Sequence, residues 1–328
     1  MQRILTQFKR KTAPLRRRLR HRSRRPLNDS CNAADSIVLA SCGRSGSTWL
    51  ANLLNWDSEY RYLFEPMHHV WVDEFTRQPR YAYLPSNGTA PEAQELLQLV
   101  VDAFSGRISN PWIDQFNPQR QPSRRLVKAI RGNLVLPGFI RACPDTPVVF
   151  LIRNPMAQAL SVVRGGWQLN PEWLWSQTEF AEHYPELCRY LKTISTDPFQ
   201  KAIVFWCLEN FIPINELDGP SIRFTHYEDI LGDPASELRN LFQFIGKPFN
   251  EQVLERVQIR SKTTRSSDND NPLTRWRNNV TPLQQKQAQQ VIADFGLSRL
   301  YNDEGIRGAN VPQVRKDVLR SPLARRAA

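Results

Sequence analysis

Cysteine is scarce in this sequence of 328 residues, and none of its five cysteines belongs to a C-x-x-C pair. Their number is odd and most lie in apolar contexts, which argues against both a disulfide framework and a zinc site. We therefore expect reduced side chains that contribute to packing, namely Cys31, Cys42, Cys143, Cys188 and Cys207.

Long hydrophobic runs are also missing. No apolar stretch reaches the length that crosses a bilayer, and the amino terminus lacks the apolar segment of a secretory signal. The sequence therefore predicts a cytoplasmic protein.

Acidic residues are absent from residues 1–26, which hold eleven lysines and arginines. A disordered basic tail is the favoured interpretation; a helix on an anionic membrane surface and a targeting segment are the alternatives. Residues 315–328 are also basic. Because these ends carry the excess of the formal net charge of +12, the remaining body is slightly acidic, which disfavours a specific nucleic-acid-binding protein.

Strand-like and helical segments alternate along the body of the chain. Apolar runs predict strands near 36–41, 60–64, 125–130, 147–152 and 221–226. Helical periodicity predicts helices near 47–56, 92–105, 133–142, 156–164, 199–216, 234–245 and 282–295. The alternation predicts an α/β fold with a mostly parallel sheet between two layers of helices. We expect one domain over 35–305, flanked by basic tails at 1–34 and 306–328.

The junction between the first strand and the first helix is the most informative segment. The run Ser41-Cys42-Gly43-Arg44-Ser45-Gly46-Ser47-Thr48-Trp49 is a Gly/Ser turn that opens a helix, an arrangement that presents backbone amides to an anion. The Lys that follows the second Gly of a Walker A loop is absent, since Ser47 stands there. The cation of this loop is instead Arg44, which predicts phosphate binding without the Mg-nucleotide pattern.

A second strand end carries another arginine. The run Val148–Ile152 is followed by Arg153-Asn154-Pro155, and Ser161 comes two helical turns later. Ligands of open parallel sheets gather at the carboxyl ends of the strands. We therefore expect Arg153 and Ser161 to meet at one phosphate beside the first loop.

These two segments resemble the donor-binding motifs of sulfotransferases, the enzymes that use 3′-phosphoadenosine-5′-phosphosulfate (PAPS). The first loop is similar to their 5′-phosphosulfate loop (R-S-G-S-T or K-S-G-T-T before a large residue), and Arg153-Asn154-Pro155 with Ser161 is similar to their 3′-phosphate motif. Tyr62–Trp71 resembles the F-x-x-E-P-x-x-H-V-W stretch of carbohydrate 6-O-sulfotransferases, and bacterial sugar sulfotransferases carry a related G-E-P. Ile222–Ile230 resembles the family's Y-E-D-L segment.

The resemblance implies a P-loop NTPase-like three-layer fold and PAPS as co-substrate, with no metal. It assigns the 5′-phosphosulfate to Arg44 and the loop residues Ser45, Gly46, Ser47 and Thr48, and the 3′-phosphate to Arg153 and Ser161. Trp49 is a candidate for stacking on adenine, with helix packing as the equal alternative. Tyr227 and Arg265 resemble later donor-contacting or lid residues of the family.

The reaction also needs a group that accepts the proton of the acceptor hydroxyl. By its E-P position Glu65 is our first candidate, followed by His69 and then His68. The R-K-G loop of cytosolic small-molecule sulfotransferases is absent, which favours a saccharide, a glycolipid or another polar alcohol as acceptor over a phenol or steroid.

Two other functions remain open at this point. One is a Mg-ATP-dependent phosphotransferase, against which stand Ser47 in place of the Walker Lys and Arg153 where a Walker B carboxylate is expected. The other is a non-catalytic protein that binds membranes or nucleic acid through residues 1–26.

Overall fold

A computed structural model describes residues 29–117, 124–259, 271 and 273–324. Its centre is a sheet of five strands that all run parallel, in the order β2-β3-β1-β4-β5. The strands are β1 (Ser36–Ser41), β2 (Arg61–Phe64), β3 (Arg125–Ala129), β4 (Val148–Ile152) and β5 (Ile222–His226). Every predicted strand is present within one residue of its predicted bounds.

Twelve α-helices lie in the described part of the chain. They are α1 (Ser47–Leu54), α2 (Pro91–Phe104), α3 (Leu136–Ala142), α4 (Pro155–Arg164), α5 (Glu172–Trp175), α6 (Thr178–His183), α7 (Pro185–Leu191), α8 (Pro198–Glu216), α9 (Tyr227–Gly232), α10 (Pro234–Phe244), α11 (Pro282–Asp294) and α12 (Val311–Arg320). Short 3-10 turns cover Ala33–Asp35, Asp73–Phe75, Asn133–Val135, Glu251–Arg256, Arg275–Asn278 and Ser298–Leu300.

Alternate residues of the central strands face two separate cores. Val38 and Ala40 of β1 join the larger core, which surrounds α8, whereas Ile37 and Leu39 join a smaller core with α1 and α10. Because both faces of a parallel sheet are buried, its strands read as continuous apolar runs. The predicted α/β fold, with a parallel sheet between helical layers, is confirmed.

The two predicted tails contain ordered pieces. Asp29 is buried at the amino ends of β2 and β3, where its carboxylate pairs with Arg61 and Arg125. In the segment 306–328, α12 buries Val314 and Val318 in the larger core because these residues recur at helical spacing on one face. The outer domain boundaries stay predictions.

Two predictions concern the amino terminus and the location of the protein. Residues 1–26 lie outside the described residues, so membrane-surface contact and a cytoplasmic location stay predictions. Among the described helices, none combines the length and the apolar character needed to span a membrane.

Candidate active site

The loops after β1 and β4 meet at the carboxyl edge of the sheet. These strands are neighbours, and the strand order reverses direction beside β1, the point at which open parallel sheets form their ligand crevice. Arg44 Nε donates a hydrogen bond to Ser161 Oγ at 3.1 Å, and Arg153 Nη1 donates one to the carbonyl oxygen of Arg44, also at 3.1 Å. The structure therefore brings Arg44, Arg153 and Ser161 together.

The β1–α1 loop has the backbone conformation of an anion cradle. Arg44 and Gly46 both have positive φ, at 71° and 95°. A Cβ at Gly46 would lie 2.8 Å from ring carbons of Tyr227, so only glycine fits there. Gly46 caps α1 without a side-chain hydrogen bond, which leaves the first helix amides directed at the loop. Ser45 Oγ is buried and has no hydrogen-bond partner in the described ranges.

Polar side chains behind this loop hold its backbone in place. Gln158 Nε2 donates to the carbonyl oxygen of Gly43 at 2.7 Å, and Asn210 Nδ2 donates to Cys42 Sγ at 3.2 Å. The Trp167 ring also packs against Gly43 closely enough to exclude a side chain there. The loop is thus held in shape by α4, α8 and the segment after α4.

The β4–α4 loop is fixed from its own side. Asn154 caps α4 by accepting from Ala157 N at 3.1 Å, and its backbone N–H donates to Glu228 Oε1 at 2.9 Å. The Arg153 carbonyl accepts a hydrogen bond from Trp206 Nε1 at 2.8 Å. The arginine therefore leaves a rigid strand end instead of a free loop.

Tyr227 and Trp49 line the same side of the site. The Arg153 guanidinium carbon lies 4.5 Å from the centroid of the Tyr227 ring, and Trp49 meets that ring edge-on at 5.2 Å. The indole of Trp49 is buried in the smaller core and donates to the carbonyl oxygen of Val257 at 2.9 Å. Its role at adenine stays a prediction, and Arg265 lies outside the described residues.

Glu65 follows β2 and is held by two cations. Lys128 Nζ and Arg131 Nη1 each donate to one of its carboxylate oxygens at 2.7 Å. Burial alone would raise the pKa of Glu65, but Lys128 and Arg131 outweigh it and lower the pKa to about 2. Glu65 is therefore a firmly ionised carboxylate and a weak proton acceptor, and its predicted role as base stays a prediction.

His68 and His69 lie next to Glu65 with their rings stacked at 5.3 Å. Burial and the nearby Arg131 lower the pKa of His68 to about 3; burial, Arg80 and Arg131 lower the pKa of His69 to about 4. His68 Nδ1 accepts from Val70 N at 3.2 Å, whereas His69 Nδ1 has no partner within the described part of the chain. Both imidazoles are neutral at pH 7.

Lys128 and Arg131 are site residues that the sequence analysis missed. Lys128 is buried at the end of β3, where burial lowers its pKa in spite of its pairing with Glu65. It also lies close enough to Arg44 for the two charges to repel. The sequence did contain a sign of this site residue: Lys128 interrupts the apolar part of a strand whose carboxyl end faces the site.

Comparison with known proteins identifies the family. A model described as the sulfotransferase family matches residues 36–251, which is more than half of the chain and spans both loops. A search of curated proteins found no match.

The solved structures to which this chain is similar include two sulfotransferase domains. The domain from the curacin biosynthetic pathway is 15% identical with a TM-score of 0.45, over 83% of this chain and 98% of its own. The domain from the Synechococcus PCC 7002 olefin synthase is 17% identical with a TM-score of 0.46, over 82% and 96%. Mouse sulfotransferase SULT7A1, solved with PAP, is 14% identical with a TM-score of 0.43, over 87% and 89%. The family assignment rests on the matched segment 36–251.

Proposed function

This chain belongs to the sulfotransferase family, and we propose that it transfers the sulfuryl group of PAPS to a hydroxyl of a polar acceptor, with a saccharide as the favoured class. The observation that carries this proposal is the meeting of Arg44, Arg153 and Ser161 at the carboxyl ends of β1 and β4. Two arginines and a helix amino terminus at one edge suit a donor with phosphate groups at two positions.

In this proposal, Arg153 and Ser161 bind the 3′-phosphate of the donor. The Ser161 hydroxyl accepts from Arg44 Nε, so its own O–H is left to donate to a phosphate oxygen. The Arg153 guanidinium is stacked on Tyr227, which restricts its orientation before the donor arrives. This pairing would distinguish PAPS from nucleotides that lack a 3′-phosphate.

The β1–α1 loop binds the 5′-phosphosulfate in this proposal. Sulfuryl transfer, like phosphoryl transfer, gathers negative charge on the bridging oxygen as the bond to the leaving group lengthens. Arg44 and the amides at the start of α1 stabilise that charge, and Lys128 adds a second cation close to Arg44. The bonds from Gln158 and Asn210 behind the loop keep its geometry fixed while the charge develops.

We propose His69 as the group that takes the acceptor proton. Of the three candidates it has the highest pKa, about 4, against about 3 for His68 and about 2 for Glu65. Its Nδ1 is also buried without a hydrogen-bond partner among the described residues. Glu65 would then act by holding Lys128 and Arg131 in place, which makes it a positioning residue.

Aromatic side chains beside this acid-base group support a saccharide acceptor. Trp71 and Trp112 stack at 5.5 Å, and the His68 ring meets Trp112 edge-on at 4.9 Å. Phe116, which meets the same Phe64 ring as Trp112, is 43% exposed, and Val70, next to Trp71 in the sequence, is 55% exposed. A flat ring surface next to polar groups accommodates the apolar face of a sugar while its hydroxyls bond elsewhere.

A transfer assay tests the proposed function. Purified protein is incubated with PAPS carrying labelled sulfate and with a panel of saccharides, glycolipids and small alcohols. We expect label to appear in a saccharide, and the Arg44→Ala variant to transfer it about 10²- to 10³-fold more slowly. Two results together would contradict the proposed function: transfer to no member of the panel, and failure to bind adenosine 3′,5′-bisphosphate (PAP), the product that PAPS becomes when its sulfuryl group leaves.

A further inference from the structure

Two arginines lie near the candidate acid-base residues, Arg131 paired with Glu65 and Arg80 close to His69. Arg131 follows β3, is only 7% exposed, and places its guanidinium carbon 5.6 Å from the centroid of the Trp167 ring. Arg80 is half-buried, with its guanidinium carbon 4.6 Å from the centroid of the Trp173 ring. Each guanidinium group thus lies over an indole ring, which restricts its orientation.

The positive charge of this pair is not balanced by the described residues. Arg131 shares Glu65 with Lys128, and Arg80 forms no ion pair within the described ranges. Burial raises the pKa of the neighbouring Glu209 well above its usual value, which favours its uncharged form. Lys128 and Arg131 therefore share the one carboxylate of Glu65, and Arg80 is left without an ion pair in the described part of the chain.

The arrangement also leaves polar atoms unsatisfied. The Nε atoms of Arg80 and Arg131 are both buried without a hydrogen-bond partner in the parts of the chain that the structure describes. Burial, and after it repulsion by Arg131, lower the pKa of Arg80. Buried donors and adjacent like charges are both costly unless an anion joins them.

We propose that Arg80 and Arg131 bind an oxyanion carried by the acceptor, so that the acceptor is an acidic saccharide. The inference rests on the proposed function and narrows its acceptor class. An oxyanion between the two guanidinium groups would be a carboxylate or a sulfate ester, since both accept the paired hydrogen bonds that guanidinium donates.

Neither arginine of this subsite belongs to the two loops assigned to the donor. The donor phosphates fall to Arg44 and Arg153 at β1 and β4, whereas Arg80 interacts electrostatically with His69 and stacks on Trp173 of α5. The anion of the acceptor would thus bind beside His69. Its hydroxyl could then reach that imidazole while its acidic group is held by the two arginines.

The experiment compares acceptors that differ only in charge. Protein saturated with PAP is titrated with the β-glucuronide, the β-glucoside and the 6-sulfated β-galactoside of 4-methylumbelliferone, and with the unsulfated galactoside. We expect a charged member of either pair to bind at least about tenfold more tightly than its neutral partner, as one charge-assisted contact provides. The glucuronide arm reports a carboxylate site and the sulfated arm a sulfate-ester site.

Variants of Arg80 attribute the preference to the subsite. Arg80→Gln should reduce the preference to less than about threefold, while Arg80→Lys, which keeps the charge, should retain part of it. Arg239→Gln is the matched control, because Arg239 also lies over a ring, that of Phe249, on α10 in the other helical layer. Thermal unfolding of each variant checks that the fold is intact.

The outcomes separate this inference from the proposed function. Loss of PAP binding by the wild-type protein would overturn the proposed function. Normal PAP binding with equal or undetectable binding of charged and neutral glycosides, or a preference that Arg80→Gln leaves unchanged, would overturn the acidic subsite alone.

Discussion

Arg44 Nε and Ser161 Oγ, 117 residues apart in the sequence, are joined by a hydrogen bond of 3.1 Å. The bond links the two loops that end β1 and β4. A donor whose 5′ and 3′ groups occupy these loops would therefore meet a site whose two halves are already in register, which reduces the ordering cost of binding.

Replacement of Arg44 tests the role of the first loop. Arg44→Ala should lower kcat by about 10²- to 10³-fold, because it removes a preorganised cation from the oxygen on which charge develops. Ser161→Ala, which removes the partner of Arg44 but no charge, should have a smaller effect. Steady-state kinetics with labelled PAPS measure both, and circular dichroism confirms the fold. Full turnover by Arg44→Ala would remove this residue from catalysis.

Glu65→Gln should destabilise the fold as well as lower turnover. It leaves Lys128 and Arg131 buried without their carboxylate, at a cost of about 3 kcal/mol. The pKa of Glu65 is lowered from 4.5 to about 2, so its stabilisation is complete above about pH 4.5 and lost as the pH falls toward about 2. Urea unfolding at several pH values should show the difference between wild type and variant shrinking across that interval.

A substitution in a second ion pair provides a reference for the free energy of unfolding that Glu65→Gln loses. Glu186→Gln breaks an ion pair with Arg189, whose side chain is exposed, and should cost no more than about 1 kcal/mol. Equal losses in the two variants would show that Lys128 and Arg131 do not depend on Glu65.

Chemical rescue distinguishes His69 from Glu65 as proton acceptor. His69→Ala should lower kcat by about 10²- to 10⁴-fold, and added imidazole should restore part of it. Glu65→Ala should lower kcat without rescue by imidazole. Because the pKa of His69 is lowered to about 4, kcat should stay level from neutral pH down to about pH 5 and fall below that. An acid limb near pH 6.5 would contradict this environment for His69.

Tyr301→Phe tests the support beneath Arg153. Tyr301 donates to Glu228 Oε2 at 2.7 Å, and the other oxygen of this half-buried carboxylate accepts from Asn154 N. The substitution should cost about 1.5 to 3 kcal/mol in urea unfolding. Tyr190→Phe is the control, because Tyr190 is itself half-buried and donates a longer hydrogen bond, of 3.0 Å, to Asp294, and it should cost less. Equal costs would mean that the hydrogen bond to Glu228 stabilises the fold no more than the hydrogen bond to Asp294.

The central fold could be predicted from the sequence because the strands are continuous apolar runs. All five strands, and the helices that follow β1 and β4, lie within two residues of their predicted bounds. The helices α5, α6 and α7 were missed since each is too short to show a clear period. The helix α12 was missed because its basic residues dominated the interpretation of the segment.

The site could be predicted only in part. Arg44, Arg153 and Ser161 stand in local patterns that specify their position relative to a strand end, and the structure brings them together. The electrostatics of Glu65 depend on Lys128 and Arg131, which are distant in sequence and adjacent only through the pairing of β2 with β3. No local pattern contains that information.

The most direct test of the account is calorimetric titration with PAP and with AMP, which lacks the 3′-phosphate. We expect the wild-type protein to bind PAP at least about tenfold more tightly than AMP. Arg153→Ala should weaken PAP binding by about 1.5 to 3 kcal/mol, or roughly 10- to 150-fold, and leave AMP binding nearly unchanged. Equal affinity of the wild-type protein for PAP and AMP, or equal weakening of both by Arg153→Ala, would contradict the claim that these two loops surround a donor with a 3′-phosphate.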